Sequence, residues 1–181
     1  PVIGMITRLA DQKGIDIFAH VVDEMMRRDV QFVLLGTGEA SYEYLFRAMQ
    51  ASYPGRVSAN IFFDESLAQQ IYASSDLFLM PSKFEPCGLG QMFSLRFGTV
   101  PIVRETGGLR DSITDSGDGQ GNGFTFKTYN AHDMLGAIRR GLDAYWNKES
   151  WDVLVDRAMN SDFSWGKSAN EYIKMYKEIL K

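Results

Sequence analysis

Residues 76–93 read DLFLMPSKFEPCGLGQMF, a short apolar run followed by a loop and the beginning of a second apolar pattern. The run Asp76–Met80 is short and mostly apolar, which is typical of a strand buried within a parallel sheet. Pro86 disfavours helix in the residues before it, so we predict that the next helix begins near Cys87 or Gly88. The segment therefore predicts a strand, a loop and a helix in succession.

The same succession recurs on both sides of this segment. Runs rich in Val, Ile, Leu and Phe predict further buried strands at Val2–Ile6, Gln31–Leu35, Val57–Phe63, Val100–Val103 and Gly123–Phe126. The first helical pattern between them aligns four apolar residues on one face, Ile15, Phe18, Val22 and Met25. Three more helical patterns follow the last strand, at Ala131–Trp146, Trp151–Met159 and Trp165–Leu180. This alternation predicts an α/β fold with a Rossmann-like, doubly wound, mostly parallel sheet of about six strands flanked by helices.

Composition limits the class of protein. With 181 residues and 45% hydrophobic content, the chain can bury one substantial core, so we expect a single domain over residues 1–181. The net charge of -4 argues against nucleic acid or an anionic membrane as a partner. No apolar run approaches the roughly 18 residues that a membrane span needs. The chain opens on an apolar run at Pro1, without an initiator methionine, which we interpret as a cut inside a longer polypeptide.

Cysteine and histidine usage bears on compartment and metal binding. Cys87 is the single cysteine and cannot form an internal disulfide, which favours a reducing compartment, the cytoplasm or, in a plant, the plastid stroma. His20 and His132 have no suitably spaced carboxylate or cysteine, so we expect no metal site.

Ligands of doubly wound sheets bind beyond the C-terminal ends of the strands, and several loops are predicted there. The first, residues 7–14, places Arg8 and Lys13 around a turn that leads into a helix. Two cations at such a turn can neutralise one diphosphate. The alternative is a pair of solvated surface charges.

The loop before the helix expected near Cys87 combines an acidic residue with two glycines. Gly88 and Gly90 would leave the first helical turn without side chains, so a phosphate could approach its free N–H groups. Glu85 beside that site could serve a sugar hydroxyl or a cationic transition state. The alternative is a surface ion pair of Glu85 with Lys83 or Arg104, and spacing alone does not separate the two interpretations.

Three further features have two interpretations each. Gly107 and Gly108 lie between a strand and a helix, where they could approach a ligand or simply form a turn. Phe63 could stack on a nucleobase or lie in the core. The glycine-rich stretch 115–123 precedes a strand and carries acidic residues, so we interpret it as a flexible surface loop and not as a phosphate-binding loop.

Four segments resemble the C-terminal domain of the starch synthase and bacterial-type glycogen synthase family. They are TRLADQKG (7–14), SKFEPCGLGQ (82–91), FGTVPIVRETGGLRDSI (97–113) and DFSW (162–165), within a similarity that runs from Val2 to Tyr176. The resemblance implies the C-terminal half of a GT-B fold and a retaining glycosyltransferase that uses ADP-glucose or UDP-glucose. Residues 1–181 would be its nucleotide-sugar-binding domain, with no cofactor and no metal.

The resemblance also implies roles for individual residues. Three would be catalytic, with Arg8 and Lys13 on the donor diphosphate and Glu85 on the reacting glucose. The donor-binding residues would be Phe63, which stacks on the base, the backbone of Gly88, Leu89 and Gly90, which holds the distal phosphate, and Gly107 and Gly108. Two positions depart from relatives: Gly90 replaces a threonine of some members, and Phe93 stands where the wider superfamily often has a second glutamate.

The remaining implications concern the rest of the parent protein. The glucan acceptor would bind mainly to a separate N-terminal domain, and the tail helix within residues 164–181 would contact that domain. The isolated domain is then expected to bind nucleotide without activity. Two alternatives stay open: the donor-binding half of another retaining GT-B enzyme, such as a sucrose synthase, and a non-catalytic nucleotide-binding module.

Overall fold

A computed structural model describes residues 1–180, which form a six-stranded sheet with every strand pair parallel. The strands are β1 (Val2–Ile6), β2 (Gln31–Leu35), β3 (Val57–Asn60), β4 (Leu77–Met80), β5 (Val100–Arg104) and β6 (Phe124–Phe126). Their order is β3-β2-β1-β4-β5-β6, so the direction of winding reverses between β1 and β4. The predicted Rossmann-like, doubly wound fold is confirmed.

Helices connect and flank the strands. They are α1 (Ile15–Ala19), α2 (Val22–Met26), α3 (Ala40–Ser52), α4 (Glu65–Ser74), α5 (Gly90–Arg96), α6 (Gly107–Ser112), α7 (Ala131–Tyr145), α8 (Lys148–Met159) and α9 (Trp165–Ile179). Within residues 1–180, no helix is both long and apolar enough to span a bilayer. The same residues contain no cluster of three or more potential metal ligands.

The first helical pattern predicts the buried face correctly, but it predicts one helix where the structure has two. Ile15, Phe18, Val22 and Met25 are all buried, as expected. The helix is nevertheless interrupted between α1 and α2, where Val21 has φ -123° and a buried side chain. Phe18, Val21, Val22 and Met25 follow the regular spacing of one helix face, so residue spacing alone does not reveal the interruption.

The third strand is shorter than the predicted run Val57–Phe63, because β3 ends at Asn60. The Asn60 side-chain amide donates to the carbonyl oxygen of Leu34 at 3.0 Å. Four residues later Asp64 caps α4 by accepting a hydrogen bond from the Leu67 N–H at 2.7 Å. The apolar residues after Asn60 therefore lie in a loop that leads into a helix.

Three phenylalanines, from α1, β2 and α3, pack together in the core. The ring centroids of Phe18 and Phe32 are 5.0 Å apart, and Phe46 lies 6.0 Å from the first ring and 6.2 Å from the second. All three side chains are essentially inaccessible to solvent. Burial of an aromatic side chain of this size stabilises a fold by about 1.5–3 kcal/mol.

The stretch 115–123 is tied to the fold at its first residue. Asp115 accepts two hydrogen bonds from Arg140 of α7, at 2.6 and 2.9 Å, and one from the Thr125 N–H at 2.7 Å. Partial burial would raise the pKa of Asp115, but the hydrogen bonds from Arg140, Thr125 and Gly117 outweigh it and lower the pKa to about 2. The ionised carboxylate therefore links β6 to α7. The stretch contains a short 3-10 turn at Ser116–Asp118.

Candidate functional site

A cavity of about 270 Å3 opens beyond the C-terminal ends of β1 and β4, where the winding of the sheet reverses. This is the position at which doubly wound sheets bind ligands. The cavity is lined by Arg8 and Lys13 from the loop after β1 and by Glu85, Gly88, Leu89 and Gly90 from the loop after β4. The two loops selected from sequence therefore meet at one site.

Glu85 is paired with Lys13. The Lys13 ammonium nitrogen lies 2.6 Å from Glu85 Oε2, and the two side chains are only 15% and 13% exposed. The hydroxyl of buried Ser82 donates to the same carboxylate oxygen at 3.3 Å. The alternative of a surface pair with Lys83 or Arg104 is wrong, because the carboxylate faces the cavity and its partner comes from the loop after β1.

The side chain of Arg104 binds the backbone of the loop after β4. Its guanidinium donates to the carbonyl oxygens of Ser82, at 2.9 Å, and of Lys83. The Lys83 N–H in turn donates to the carbonyl oxygen of Gln12 at 2.8 Å, which joins the loop after β4 to the loop after β1. These bonds fix the approach of Lys13 to Glu85.

Gly14 also allows the loop after β1 to lie close to the loop after β4. Its φ of 76° is left-handed, and a Cβ at this position would lie 2.1 Å from the carbonyl oxygen of Pro81. Only glycine accommodates both the backbone conformation and the close contact.

Arg8 lies at the mouth of the cavity with an exposed side chain. Within residues 1–180, no carboxylate lies within ion-pair distance of its guanidinium. The group is therefore available to an anionic ligand, in contrast to Lys13, whose charge is shared with Glu85.

The predicted helix start near Cys87 or Gly88 is wrong, because α5 begins at Gly90. Gly88 has φ 74°, a left-handed conformation that no α-helical residue adopts. The N–H groups of Leu89 and Gly90 donate to no acceptor among residues 1–180 and remain available to a ligand. The free donors expected from the sequence thus exist, one at the residue before the helix and one at its first residue.

Gln91 does not line the cavity but supports the loop that does, and sequence reasoning missed this contact. Its side chain is fully buried and its amide nitrogen donates to the carbonyl oxygens of Cys87 and Gly88, at 3.1 and 3.0 Å, and to Ser112 Oγ at 3.1 Å. One feature of the sequence could have indicated this role. Gln91 carries an amide in the first turn of a helix predicted to be buried, where a polar side chain needs hydrogen-bond partners.

Gly107 and Gly108 contact the loop that carries Glu85. A Cβ on Gly107 would lie 2.1 Å from the Glu85 carbonyl oxygen, and one on Gly108 would lie 2.0 Å from that of Cys87. The Gly108 N–H donates to the Glu85 carbonyl oxygen at 3.0 Å. Neither glycine lines the cavity, so their observed contacts support the loop, and their contact with a donor stays a prediction.

The family of glycosyl transferases group 1 matches residues 1–152 of this chain. The chain belongs to that family. Over 99% of its length it is 54% identical to the glycogen synthase of Desulforudis audaxviator, of which it spans 37%. The matched glycogen synthases are therefore much longer proteins than the 181 residues of this sequence.

Solved glycosyltransferase structures agree with this assignment. The catalytic domain of starch synthase IV from Arabidopsis thaliana, bound to ADP and acarbose, superposes with a TM-score of 0.88 at 40% identity. The match covers 98% of this chain and 38% of that one. Sucrose-phosphate synthase from Thermosynechococcus elongatus matches 99% of the chain and 45% of its own length, with a TM-score of 0.72 and 20% identity, which shows the shared fold alone.

A second cavity of this glycosyltransferase chain, about 240 Å3, adjoins the first and shares Arg8 with it. Phe62 and Phe63 line it, and Phe63 is 81% exposed. The interpretation of Phe63 as a core residue is therefore wrong, while its stacking on a base stays a prediction. Phe62, 48% exposed, is a second aromatic at this cavity that the sequence reasoning did not select.

Helix α9 contributes no buried residue to the fold. Trp165 at its start is 90% exposed, and Ile179 at its end is 72% exposed. Its apolar side chains are therefore left largely exposed within residues 1–180, which is compatible with the predicted contact to another part of the parent protein.

Proposed function

We propose that this chain is the donor-binding part of a glycogen or starch synthase. The parent enzyme would transfer glucose from ADP-glucose or UDP-glucose to the non-reducing end of an α-1,4-glucan with retention of configuration. The observation that carries the proposal is the convergence of Arg8, the Lys13–Glu85 pair and the free N–H groups of Leu89 and Gly90 on one cavity. The glycogen synthase relatives and the ADP-bound starch synthase support it.

The charges of the cavity suit a nucleotide sugar. Arg8 and Lys13 neutralise the diphosphate, and the N–H groups of Leu89 and Gly90 donate to the distal phosphate. This places the anionic part of the donor against cations and backbone donors. The two cations supply the charge neutralisation that a metal ion supplies in other enzymes, and the proposal includes no cofactor.

Glu85 faces the glucose. During transfer the bond from glucose C1 to the diphosphate breaks, and a bond forms on the same face from C1 to the acceptor 4-hydroxyl oxygen. The leaving diphosphate accepts the proton of that hydroxyl. Positive charge develops on the sugar in this step, and the Glu85 carboxylate stabilises it while Arg8 and Lys13 stabilise the departing diphosphate.

Calorimetric titration of the 181-residue chain with ADP and with UDP, together with an assay of glucose incorporation into glycogen, tests this function. We expect saturable binding of at least one diphosphate without glucan synthesis, because the acceptor is proposed to bind another domain. Arg8→Ala should weaken binding by about tenfold, the usual effect of losing a charge-assisted contact. Arg28→Ala, at a surface ion pair with Asp143, serves as the control.

Two results would contradict the proposal in different ways. Failure of both diphosphates to bind would remove the donor-binding function. Robust glucan synthesis by the isolated chain would show that the acceptor site lies within these residues. For the parent protein, a product assay with fructose in place of glycogen separates a glucan synthase from a sucrose synthase.

We further propose that α9 packs against the N-terminal domain of the parent protein. Because no α9 residue is buried, deletion of residues 164–181 from this chain should change its free energy of unfolding by less than about 1 kcal/mol. The same deletion in the full-length protein should lower its stability and its activity. Urea unfolding of the isolated chain and of the full-length protein, each with and without residues 164–181, checks this. A large loss of stability on deletion from the isolated chain would contradict the proposal.

A further inference from the structure

Tyr72, on α4, lines the first cavity together with Leu89 and Gly90. The residue is 6% exposed, and its ring centroid lies 4.9 Å from that of Phe78, 5.9 Å from Phe93 and 6.2 Å from Phe97. Three aromatic rings therefore hold the tyrosine ring in one position. A ring held in this way fixes the direction of its hydroxyl group.

The hydroxyl oxygen of Tyr72 makes no hydrogen bond within the described part of the chain, residues 1–180. Tyr72 is one of the residues that line the cavity. The buried side-chain oxygens and nitrogens without a partner in residues 1–180 are Ser75 Oγ and Gln91 Oε1, so the Tyr72 oxygen is accessible from the cavity although the residue as a whole is buried. A phenylalanine would pack the same ring, so the packing of the ring does not account for the hydroxyl.

Gly90 packs closely against this hydroxyl. A Cβ at position 90 would lie 3.2 Å from the Tyr72 hydroxyl oxygen, which places the oxygen within reach of a group bound at the Gly90 N–H. Burial raises the pKa of Tyr72 to about 12, so the hydroxyl stays protonated and is a hydrogen-bond donor at neutral pH. Tyr72, Leu89 and Gly90, which carry one side-chain donor and two backbone donors, therefore line the same cavity.

We propose that the Tyr72 hydroxyl donates a hydrogen bond to the distal phosphate of the nucleoside diphosphate at Leu89 and Gly90. This inference rests on the proposed function, which places a diphosphate in the cavity, and adds a side-chain contact to it.

Tyr72→Phe tests the assignment because it removes the oxygen and keeps the ring. ADP and AMP are titrated calorimetrically into the wild-type chain, the variant and Tyr145→Phe. Tyr145 is a matched control, since its ring also packs against two aromatic residues and it does not line the cavity. We expect Tyr72→Phe to weaken the binding of ADP at least about tenfold, as for loss of a hydrogen bond to a charged group. The binding of AMP, which has no distal phosphate, should weaken less than about twofold.

The stability of the Tyr72→Phe variant distinguishes a role of the hydroxyl in ligand binding from a role in the fold. Because the hydroxyl has no partner within residues 1–180, urea unfolding without ligand should show Tyr72→Phe to be as stable as the wild type or more stable. Unchanged ADP affinity in Tyr72→Phe would overturn the assignment, as would an equal loss for ADP and AMP. Absence of ADP binding by the wild-type chain would instead contradict the proposed function itself.

Discussion

Glu85→Gln in the full-length protein is expected to lower the turnover number for glucose transfer by about 100- to 1,000-fold, the range found when one electrostatic contact to a transition state is removed. Glutamine keeps the size of the side chain and one acceptor oxygen, and it removes the negative charge. The carboxylate lines the cavity at 2.6 Å from the Lys13 ammonium, so its charge acts on a ligand bound beside the pair.

Nucleotide affinity should behave differently from turnover. In the free protein Lys13 shares its charge with Glu85, so the variant frees that charge for a diphosphate. We therefore expect ADP to bind with equal or greater affinity to Glu85→Gln. Steady-state kinetics and calorimetry measure the two quantities separately.

Glu24→Gln is the matched control for this experiment. Glu24 is also ion-paired, with Arg139, but it does not line the cavity. Its replacement should leave both turnover and ADP affinity unchanged. Turnover of Glu85→Gln close to that of the wild type would refute the electrostatic role assigned to the carboxylate.

The substitution Gly108→Ala is expected to destabilise the chain by about 3 kcal/mol, the upper part of the range for overpacking. The added Cβ would lie 2.0 Å from the carbonyl oxygen of Cys87 and 2.6 Å from its carbonyl carbon. Both are backbone atoms, so relief requires movement of the loop that carries Glu85. Urea unfolding measures the loss, and in the full-length protein we expect reduced turnover as well.

The control for this glycine is Gly136→Ala. Gly136 lies within α7, and a Cβ added to it would meet no atom within 4 Å outside the local helix, so alanine should stabilise the helix by up to about 1 kcal/mol. The same chemical change is thus expected to have opposite signs at the two positions. A Gly108→Ala variant within about 0.5 kcal/mol of the wild type, on the scale of an ordinary surface change, would show that the loop accommodates the methyl group.

Local patterns in the sequence predicted most of the fold. The bounds of β1 and β2 agree with their apolar runs, and the residues expected on the first helical face are buried. The errors occur where tertiary contacts override a local pattern. The break before α2, at Val21, leaves the apolar spacing unchanged, and the late start of α5 depends on the left-handed Gly88.

The candidate site was predicted in part. Arg8, Lys13 and Glu85 were selected from loop position and residue type, and the structure brings them to one cavity. The contacts of Gln91 and Tyr72 were missed, because each depends on residues from other elements. A periodic apolar pattern predicts that such a side chain is buried, but it does not predict which polar atom faces a cavity.

By itself, the sequence determined the alternation of strands and helices and the loops that carry cations, glycines and a carboxylate. Only the tertiary structure decided that Lys13 and Glu85, 72 residues apart, form an ion pair. That pairing requires β1 and β4 to be neighbours in the sheet, with their C-terminal loops on the same edge. The free hydroxyl of Tyr72 likewise depends on three surrounding rings and on the missing side chain of Gly90. Hydrogen bonds and cavities form between residues distant in sequence, so their geometry exists only once the sheet has assembled.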